Sequence, residues 1–324
     1  MRSRRRIVIT ACTALVLALP AQAATAARMP AVGRAAPYEY MGWGSPEPPA
    51  KVMAATGVRA FTFAFMLSDG TCHPAWDGQR PLLGGIDQAA IRAVRAAGGS
   101  VVVSFGGWSG KKLGVVCHTA AGLAAAYEAV IDTYHLKAID IDIEHTEVAS
   151  AAVRQRVITA LTMVRRHESR PIAIYMTFGV TPSGPDAVGR DLIRRAAGAH
   201  LRVTGWTIMP FDFGAPEPDM GAVSLRAAEG TKRALMAAYH EGPVAAYRTL
   251  GISSMNGRTD ERDETVTLHD FATMLAYARL HHLARFTFWS VNRDRSCSGA
   301  GPDACSGIRQ RRFAFTRVIA SYHG

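Results

Sequence analysis

The stretch Lys137–Glu144, KAIDIDIE, decides the fold. Isoleucines and acids alternate strictly along it, in the order Ile139, Asp140, Ile141, Asp142, Ile143, Glu144. A period of two is typical of a β-strand, in which successive side chains point to opposite faces. The stretch therefore predicts a strand with one aliphatic face and one face of three carboxylates, spaced about 6.5 to 7 Å apart. We call Asp140, Asp142 and Glu144 the acid ladder.

The direction of the acid ladder admits three interpretations. The acids face water on an ordinary half-buried strand, or bind calcium, or point into the interior of a parallel barrel. Calcium binding is disfavoured because the neighbouring sequence lacks carbonyl, Asn or further acid ligands at loop spacing. The isoleucine face needs an apolar cover, such as the helices around a parallel barrel. This requirement favours the interior direction.

The interior direction has a chemical consequence. Carboxylates crowded in a low-dielectric interior cannot all ionise, because desolvation and like-charge repulsion both raise their pKa values. Glu144 comes last and so lies nearest the carboxyl-end mouth, where barrel enzymes place their chemistry. We therefore predict that Glu144 is a general acid and that Asp142 tunes and orients it.

Strands and helices alternate along the rest of the chain. The predicted strands cover residues 38–43, 59–65, 100–105, 138–144, 171–178, 202–211, 249–253 and 285–291. The predicted helices cover residues 49–55, 87–97, 120–134, 150–167, 189–199, 222–238, 267–282 and 308–322. This alternation predicts a single α/β domain, a (β/α)8 TIM barrel over residues 37–324. The alternative, an open doubly wound sheet, is disfavoured because the first βα turn lacks a G-x-G-x-x-G fingerprint.

The N-terminus has the layout of a secretory signal peptide. Four arginines precede the apolar run Ile7–Leu19, and small residues follow it, which predicts a signal peptide over residues 1–23 and a short linker over residues 24–36. The apolar run is shorter than the roughly 20 residues that span a bilayer, although a retained anchor is the alternative. We expect a secreted, extracellular protein that does not contact the membrane after signal cleavage.

The charge of the chain excludes some partners. Residues 1–23 contain four of the 37 basic residues and none of the 26 acids, so the remaining chain has a net charge of +7 in place of +11. The arginines are scattered and not clustered with aromatic residues, so no nucleic-acid partner is predicted. A positive surface favours loose association with anionic polymers and disfavours polycationic substrates. We expect a monomer.

Four cysteines remain after the signal peptide, and an even number in an exported chain favours disulfides. They are Cys72, Cys117, Cys297 and Cys305. Of the three possible pairings we favour Cys297 with Cys305, which close a short loop, and Cys72 with Cys117, which both follow predicted strands; free buried thiols are the alternative. Neither a CxxC motif nor Cys/His spacing indicates zinc, and we expect no metal and no organic cofactor.

The acid ladder resembles a known signature. It is similar to the DxxDxDxE motif of glycoside hydrolase family 18, the chitinases, with Asp140, Asp142 and Glu144 as its last three acids. Lys137 stands in the place of the first Asp, and Ala138 in the place of the usual Gly. The resemblance thus covers the catalytic half of the motif.

Two further motifs resemble the same family. The third predicted strand ends in an SxGG motif followed by a tryptophan, and we predict that its residues Ser104, Gly106, Gly107 and Trp108 bind the substrate. The last strand ends in Trp289–Asp294, which resembles the W-S-x-N-R-D sequence of bacterial family 18 chitinases. The resemblance implies that Trp289 forms the apolar floor under the sugar at the cleavage point. Trp43, Trp76 and Trp108 either extend this platform or pack in the core.

The sixth predicted strand departs from the family pattern. Family 18 has Met-x-Tyr-Asp here, and this chain has Met209, Phe211, Asp212 and Phe213. The resemblance implies that Met209 and Asp212 line the site and that Asp212 holds the acetamido nitrogen of the substrate. The tyrosine hydroxyl that holds the acetamido oxygen is replaced by phenylalanine. Tyr40 or Tyr175 is a candidate substitute.

Together these resemblances imply a secreted hydrolase of β-1,4 linkages next to N-acetylglucosamine, in chitin or chitooligosaccharides. The implied mechanism is retaining and substrate-assisted: Glu144 protonates the leaving oxygen, and Asp142 reorients the acetamido group and stabilises the oxazolinium ion. Asp140 is expected to share a proton with Asp142. Two alternatives remain open, namely a lectin-like barrel that binds chitin or N-acetylglucosamine with little or no activity, and an endo-β-N-acetylglucosaminidase that acts on N-glycans or peptidoglycan.

Overall fold

The computed structural model describes residues 32–167, 171–215, 217–261, 263–297 and 302–324. The predicted signal peptide and residues 24–31 of the predicted linker lie outside the described residues. The other predicted elements fall almost entirely within them.

Eight parallel strands form the barrel, and each pairs with the next along the chain from the first to the eighth. They are β1 (Tyr38–Tyr40), β2 (Ala60–Ser68), β3 (Ser100–Gly106), β4 (Ala138–Asp142), β5 (Ala173–Gly179), β6 (Gly205–Met209), β7 (Leu250–Met255) and β8 (Arg285–Trp289). The prediction of a (β/α)8 barrel is confirmed.

Eight helices follow the strands in the predicted order. They are α1 (Pro49–Thr56), α2 (Ile86–Ala96), α3 (Ala120–Tyr134), α4 (Ala151–His167), α5 (Ala187–Gly198), α6 (Met220–Tyr239), α7 (Leu268–His281) and α8 (Ala314–Ala320). The last helix begins six residues later than predicted. The Asp294 carboxylate accepts hydrogen bonds from the backbone N–H groups of Phe315 and Thr316, which fixes the beginning of α8.

Several short elements in the loops were not predicted. They are the antiparallel strand Pro74–Trp76 beside β2, the helices Leu113–Val116, His145–Ala149 and Pro243–Arg248, and the strand pair Gly257–Arg258 with Thr265–Val266. None is long enough to show a periodic pattern in the sequence.

The seam between β1 and β8 is closed by the segment that precedes β1. The carbonyl oxygen of Arg34 accepts a hydrogen bond from the Phe286 N–H (2.8 Å), and that of Ala36 accepts one from the Thr287 hydroxyl (2.6 Å). At the other end of the seam, the Asn292 amide bonds the backbone of Tyr40 at 2.8 and 2.9 Å. The last residues of the segment predicted as a linker are therefore part of the barrel wall.

The two faces of β4 lie as predicted. Ile139, Ile141 and Ile143 are all fully buried in the apolar cluster that includes Val157 and Leu161 of α4. Each fully buried side chain of this type contributes about 1.5 to 3 kcal/mol. Because the isoleucines face the helices, the acids of β4 face the barrel interior.

Both predicted disulfides are present. Cys72 pairs with Cys117 at a Cα–Cα distance of 4.8 Å, and Cys297 pairs with Cys305 at 5.0 Å. The first links the loop after β2 to the end of the Leu113–Val116 helix. In the part of the chain that the structure describes, no helix combines the length and apolar character needed to cross a membrane, and no group of three or more His, Cys, Asp or Glu side chains is arranged to hold a metal ion.

Candidate active site

A pocket of about 330 Å³ opens at the carboxyl ends of the strands. Asp142 and Glu144 of the acid ladder line it, and so does Trp289 at the end of β8. The parallel sheet brings these three residues together, because the carboxyl ends of all its strands lie at the same end of the barrel. Residues that are far apart in the sequence therefore share one cavity.

Asp140 lies deepest in the acid ladder and is fully buried. Its Oδ1 accepts hydrogen bonds from Thr177 (2.7 Å) and from the Arg285 guanidinium (2.5 Å). Its Oδ2 accepts hydrogen bonds from Tyr38 (2.7 Å) and Ser104 (2.6 Å). Four donors, one of them cationic, hold this carboxylate as an anion.

Asp142 has a different environment. It is 3% exposed, and its Oδ1 has no hydrogen-bond partner among the described residues. Burial raises its pKa well above the usual range, and the charges of Glu144 and Asp140 raise it further. The expectation that Asp140 shares a proton with Asp142 stays a prediction. The four donors described above already fill the hydrogen-bonding positions of Asp140.

Glu144 lies two residues beyond β4, on extended backbone that leads into the short helix His145–Ala149. Its side chain is half-buried at the pocket. Burial raises its pKa to about 7, the Lys112 ammonium opposes this rise, and Asp212 and Asp260 add to it. A carboxyl group with a pKa near neutrality is suited to donate a proton and to recover it.

An aromatic cluster forms one wall of the pocket. The Trp289 ring stacks on Phe65, with 5.5 Å between ring centroids and 13° between the planes. Tyr38 and Trp43 contact Trp289 at centroid distances of 6.0 and 6.1 Å. The pocket thus combines a fixed apolar surface with two carboxyl groups of raised pKa.

Similar proteins are known. A probable bifunctional chitinase/lysozyme of Escherichia coli is 27% identical over 82% of this chain and 32% of its own length. Endochitinase 11 of Metarhizium anisopliae is 26% identical over 73% of this chain and 48% of its own length. One solved structure is active domain 2 of the Pyrococcus furiosus chitinase, a catalytic-site mutant complexed with chito-oligosaccharides. It matches this chain with a TM-score of 0.78 and 28% sequence identity. The match covers 90% of this chain and 96% of that domain. No protein-family model matches the chain.

The chain is chitinase-like, and its acid ladder matches the last three acids of the glycoside hydrolase family 18 motif. It spans a third to a half of the length of the two curated relatives that it matches. Across the solved chitinase domain, by contrast, the match is nearly complete. The chitinase-like barrel therefore corresponds in extent to active domain 2 of the Pyrococcus furiosus chitinase.

Most of the predicted binding residues line the pocket of the chitinase-like barrel. They are Tyr40, Trp43, Trp108, Met209, Phe211, Asp212 and Trp289. Four others lie outside the lining, namely Ser104, Gly106, Gly107 and Phe213. Ser104 acts on the site through its hydrogen bond to Asp140, and Phe213 packs against the apolar core.

The two glycines of the SxGG motif allow a close approach of backbone and are not binding residues. Gly106 has a φ of +103°, and a Cβ at this position would lie 2.1 Å from the Asp142 carbonyl oxygen. At Gly107 a Cβ would lie 2.7 Å from the Phe65 ring, and the Gly107 N–H donates to the Asp142 carbonyl at 2.8 Å. Both glycines therefore set the distance between β3 and the acid ladder.

Asp212 is engaged with the loop that covers its side of the pocket. Its backbone φ is +54°, and its Oδ1 accepts the N–H groups of Asp260 (3.1 Å) and Glu261 (3.2 Å). Burial raises its pKa to about 6, and the charges of Asp260 and Glu264 contribute. Asp212 therefore both fixes this loop and presents a carboxyl group to the pocket.

The candidate substitutes for the missing tyrosine hydroxyl lie in different places. Tyr40 lines the pocket, whereas the Tyr175 hydroxyl donates to the Val32 carbonyl (2.8 Å) at the amino end of the barrel. Tyr175 as a substitute is therefore wrong. Trp76 is fully buried and donates from its indole to the Tyr134 hydroxyl (2.8 Å), so it packs in the core and is not part of the sugar platform.

Several site residues were missed in the sequence. Tyr38 and Phe65 line the pocket, Thr177 and Arg285 hold Asp140, and Lys112 lies 1% exposed near the upper acids. Tyr38 carries a recognisable signal, because it shares the period-2 face of β1 with Tyr40. The others reach the site from loops or distant strands and leave no local pattern.

The charged residues of the pocket are all of one sign. Among the described residues of its lining, every charged side chain is acidic, and three of these acids, Asp77, Asp260 and Asp303, were not predicted. The chain as a whole has a net charge of +11. Among the described residues, the basic side chains therefore all lie outside the lining of the pocket.

Proposed function

We propose that the chain is a secreted hydrolase that cleaves β-1,4 linkages next to N-acetylglucosamine in chitin or chitooligosaccharides, with retention of configuration. The observation that carries this proposal is the meeting of Glu144, Asp142 and Trp289 in one pocket, with the pKa of Glu144 raised to about 7. The likeness to a chitinase domain complexed with chito-oligosaccharides supports the same substrate class.

The proposed first step begins with a sugar held on the Trp289 ring, whose flat apolar face matches the axial C–H face of a pyranose. Glu144 gives its proton to the glycosidic oxygen as the bond from that oxygen to the anomeric carbon breaks. The carbonyl oxygen of the 2-acetamido group bonds to the anomeric carbon and forms an oxazolinium ion. The leaving sugar departs with the proton as an alcohol.

Asp142 stabilises the positively charged intermediate in this mechanism. Its unpartnered Oδ1 is available to accept the acetamido N–H, and its negative charge stabilises the oxazolinium ion. In the second step the oxygen of a water molecule bonds to the anomeric carbon, the bond from the acetamido oxygen to that carbon breaks, and the Glu144 carboxylate takes a proton from the water. Retention follows, because two displacements occur at the same carbon.

The test is turnover of a fluorogenic chitobioside. Glu144→Gln removes the proton donor and is expected to lower kcat by about 10²- to 10⁴-fold. Glu128→Gln on α3 is the matched control, because Glu128 lies outside the pocket, and it is expected to leave turnover unchanged. Equal rates for the wild type and Glu144→Gln would contradict the proposal.

A second candidate function is carbohydrate binding without efficient hydrolysis. Phe211 favours it, because this residue lines the pocket where the family places a tyrosine hydroxyl. Binding of chitooligosaccharide with no products after long incubation would support this candidate. Products from defined N-glycans or peptidoglycan, compared with those from chitooligosaccharides, would show which glycan is preferred.

We also propose that the protein is exported. The support is the sequence of residues 1–23, which combines four arginines, the apolar run Ile7–Leu19 and the small residues Ala21-Gln22-Ala23. N-terminal sequencing of the protein from a culture supernatant is expected to begin at Ala24. A product that keeps residues 1–23 and stays with the membrane would contradict this proposal.

A further inference from the structure

Arg285 is a fully buried cation inside the barrel. It begins β8 and reaches across the interior to the acid ladder of β4. Its Nη1 donates to Asp140 Oδ1 (2.5 Å), and its Nη2 donates to the Thr62 hydroxyl (2.7 Å). The guanidinium lies over the rings of Tyr38 and Tyr175, 5.4 and 4.8 Å from their centroids.

A buried arginine must keep its charge, because a guanidinium is not deprotonated in proteins. A buried guanidinium without a counter-ion would be severely destabilising. Asp140 supplies the counter-ion, since both side chains of this ion pair are 0% exposed. The pair therefore requires Asp140 to stay ionised.

The other contacts of Asp140 reinforce this requirement. Thr177 shares Oδ1 with Arg285, and Tyr38 and Ser104 both donate to Oδ2. A proton on Asp140 would have to displace one of these four donors. No such obstacle faces Asp142, whose Oδ1 has no hydrogen-bond partner among the described residues.

We propose that Arg285 is a positioning residue: by holding Asp140 as an anion, it confines the proton of the acid ladder to Asp142 and Glu144. The inference rests on the proposed function. In the resting site Asp142 and Glu144 share this proton. When the acetamido N–H approaches Asp142, the proton is held by Glu144, which donates it to the glycosidic oxygen.

The charged groups around this proton come from several elements. Asp140 and Glu144 lie on its own strand segment, Lys112 reaches it from the loop after β3, and Arg285 reaches it from β8. Beyond them, Glu147 faces Lys112, and Asp212 and Asp260 face Glu144. Tyr38 from β1 and Thr177 from β5 contact Asp140 as neutral donors.

These charges determine the direction in which each substitution moves the acid limb of the pH profile of kcat/KM. Removal of the Arg285 cation favours protonated acids, so the acid limb of the kcat/KM profile moves to higher pH. Removal of the Asp140 anion favours ionised neighbours, so the acid limb moves to lower pH. Removal of both charges brings the limb back toward its wild-type position, because the two effects oppose each other.

The experiment is a set of pH profiles of kcat/KM on a fluorogenic chitobioside. The variants are Arg285→Met, Asp140→Asn, their double variant and Arg285→Lys. We expect the limb to move up by about one pH unit in Arg285→Met and down by a similar amount in Asp140→Asn. The double variant and Arg285→Lys are expected to lie within about half a unit of wild type, and Arg285→Lys tests rescue by charge.

A purely structural role gives a different result. In that case the variants lose thermal stability while the acid limb stays in place, and the proposal is overturned. If one of the two single variants does not fold, the comparison of the other single variant with the double variant carries the test, because the double variant buries no unpaired charge. Two limbs at the same pH would then overturn the proposal.

A second readout separates this inference from the proposed function. Infrared spectra at neutral pH report a protonated carboxyl group by its C=O band whether or not the protein hydrolyses sugar. The band is expected to persist in Asp140→Asn and to weaken in Asp142→Asn. Loss of the band in Asp140→Asn would place the proton on Asp140 and overturn the inference, even in a protein without activity.

Discussion

Two phenylalanines that stand close together in the sequence have different surroundings. Both pack against the apolar core, but Phe211 lines the pocket and Phe213 does not, so a hydroxyl group added at Phe213 is a control for one added at Phe211. We expect Phe211→Tyr to raise kcat/KM on chitobioside by up to about a hundredfold, because a positioned donor in a dry site contributes about 2.7 to 4 kcal/mol. Phe213→Tyr is the control and is expected to leave kcat/KM unchanged. A fall in kcat/KM in Phe211→Tyr would show that the ring itself contacts the sugar.

Lys112 sets the basic limb of the pH profile. It lowers the pKa of Glu144, which burial raises to about 7, so activity is expected to fall above neutral pH as Glu144 loses its proton. Lys112→Met removes this cation and is expected to move the basic limb to higher pH. Lys111→Met is the matched control, because Lys111 is exposed and Lys112 is buried. Identical basic limbs in the two variants would contradict this role.

The raised pKa of Glu144 also makes a prediction for stability. Its folded-state pKa of about 7 lies above the usual value of 4.5, so the folded protein binds the proton more tightly and loses stability as pH rises from 4.5 to 7. Glu144→Gln removes this loss. At pH 8 the variant is expected to be more stable than wild type by about 3 kcal/mol, and the difference is expected to disappear below pH 4.5. Chemical denaturation at several pH values measures it.

At the scale of elements, the contact between β3 and β4 depends on Gly106. Gly106→Ala adds a Cβ that would lie 2.1 Å from the Asp142 carbonyl oxygen, and we expect a loss of about 3 kcal/mol or more. Gly57→Ala is the control, because Gly57 has a φ of +80° with no atom within 4 Å of the added Cβ. It is expected to lose only the backbone term of about 1 kcal/mol. Equal losses in the two variants would show that the approach of β3 is not tight.

The elements also show how far the sequence predicts the structure. The strict alternation around Asp142 places one face of β4 against the helices and the other in the barrel, because the side-chain period of a strand is two. The bounds of α3 agree at both ends, since Thr119 caps its beginning with a side-chain hydrogen bond. Arg285 was missed because its partner Asp140 lies 145 residues away, and no local period reports such a contact.

At the scale of the whole molecule, the barrel depends on residues before its first strand. The carbonyl oxygens of Arg34 and Ala36 accept hydrogen bonds from β8, so a chain that begins at residue 38 loses them. We expect this truncation to lower the melting temperature by about 5 °C or more relative to a chain that begins at residue 32. Equal melting temperatures would show that the seam holds without these residues.

The uniform sign of the charges in the pocket has a consequence for how the molecule meets a surface. A protein that has a positive net charge and an acidic pocket opening has an electric dipole moment. The electric field of a charged surface orients such a molecule. An anionic cell wall repels the acidic opening and attracts the rest of the molecule, so the opening turns away from the wall. Adsorption would then leave the cleft free to take up sugar chains from the surrounding medium.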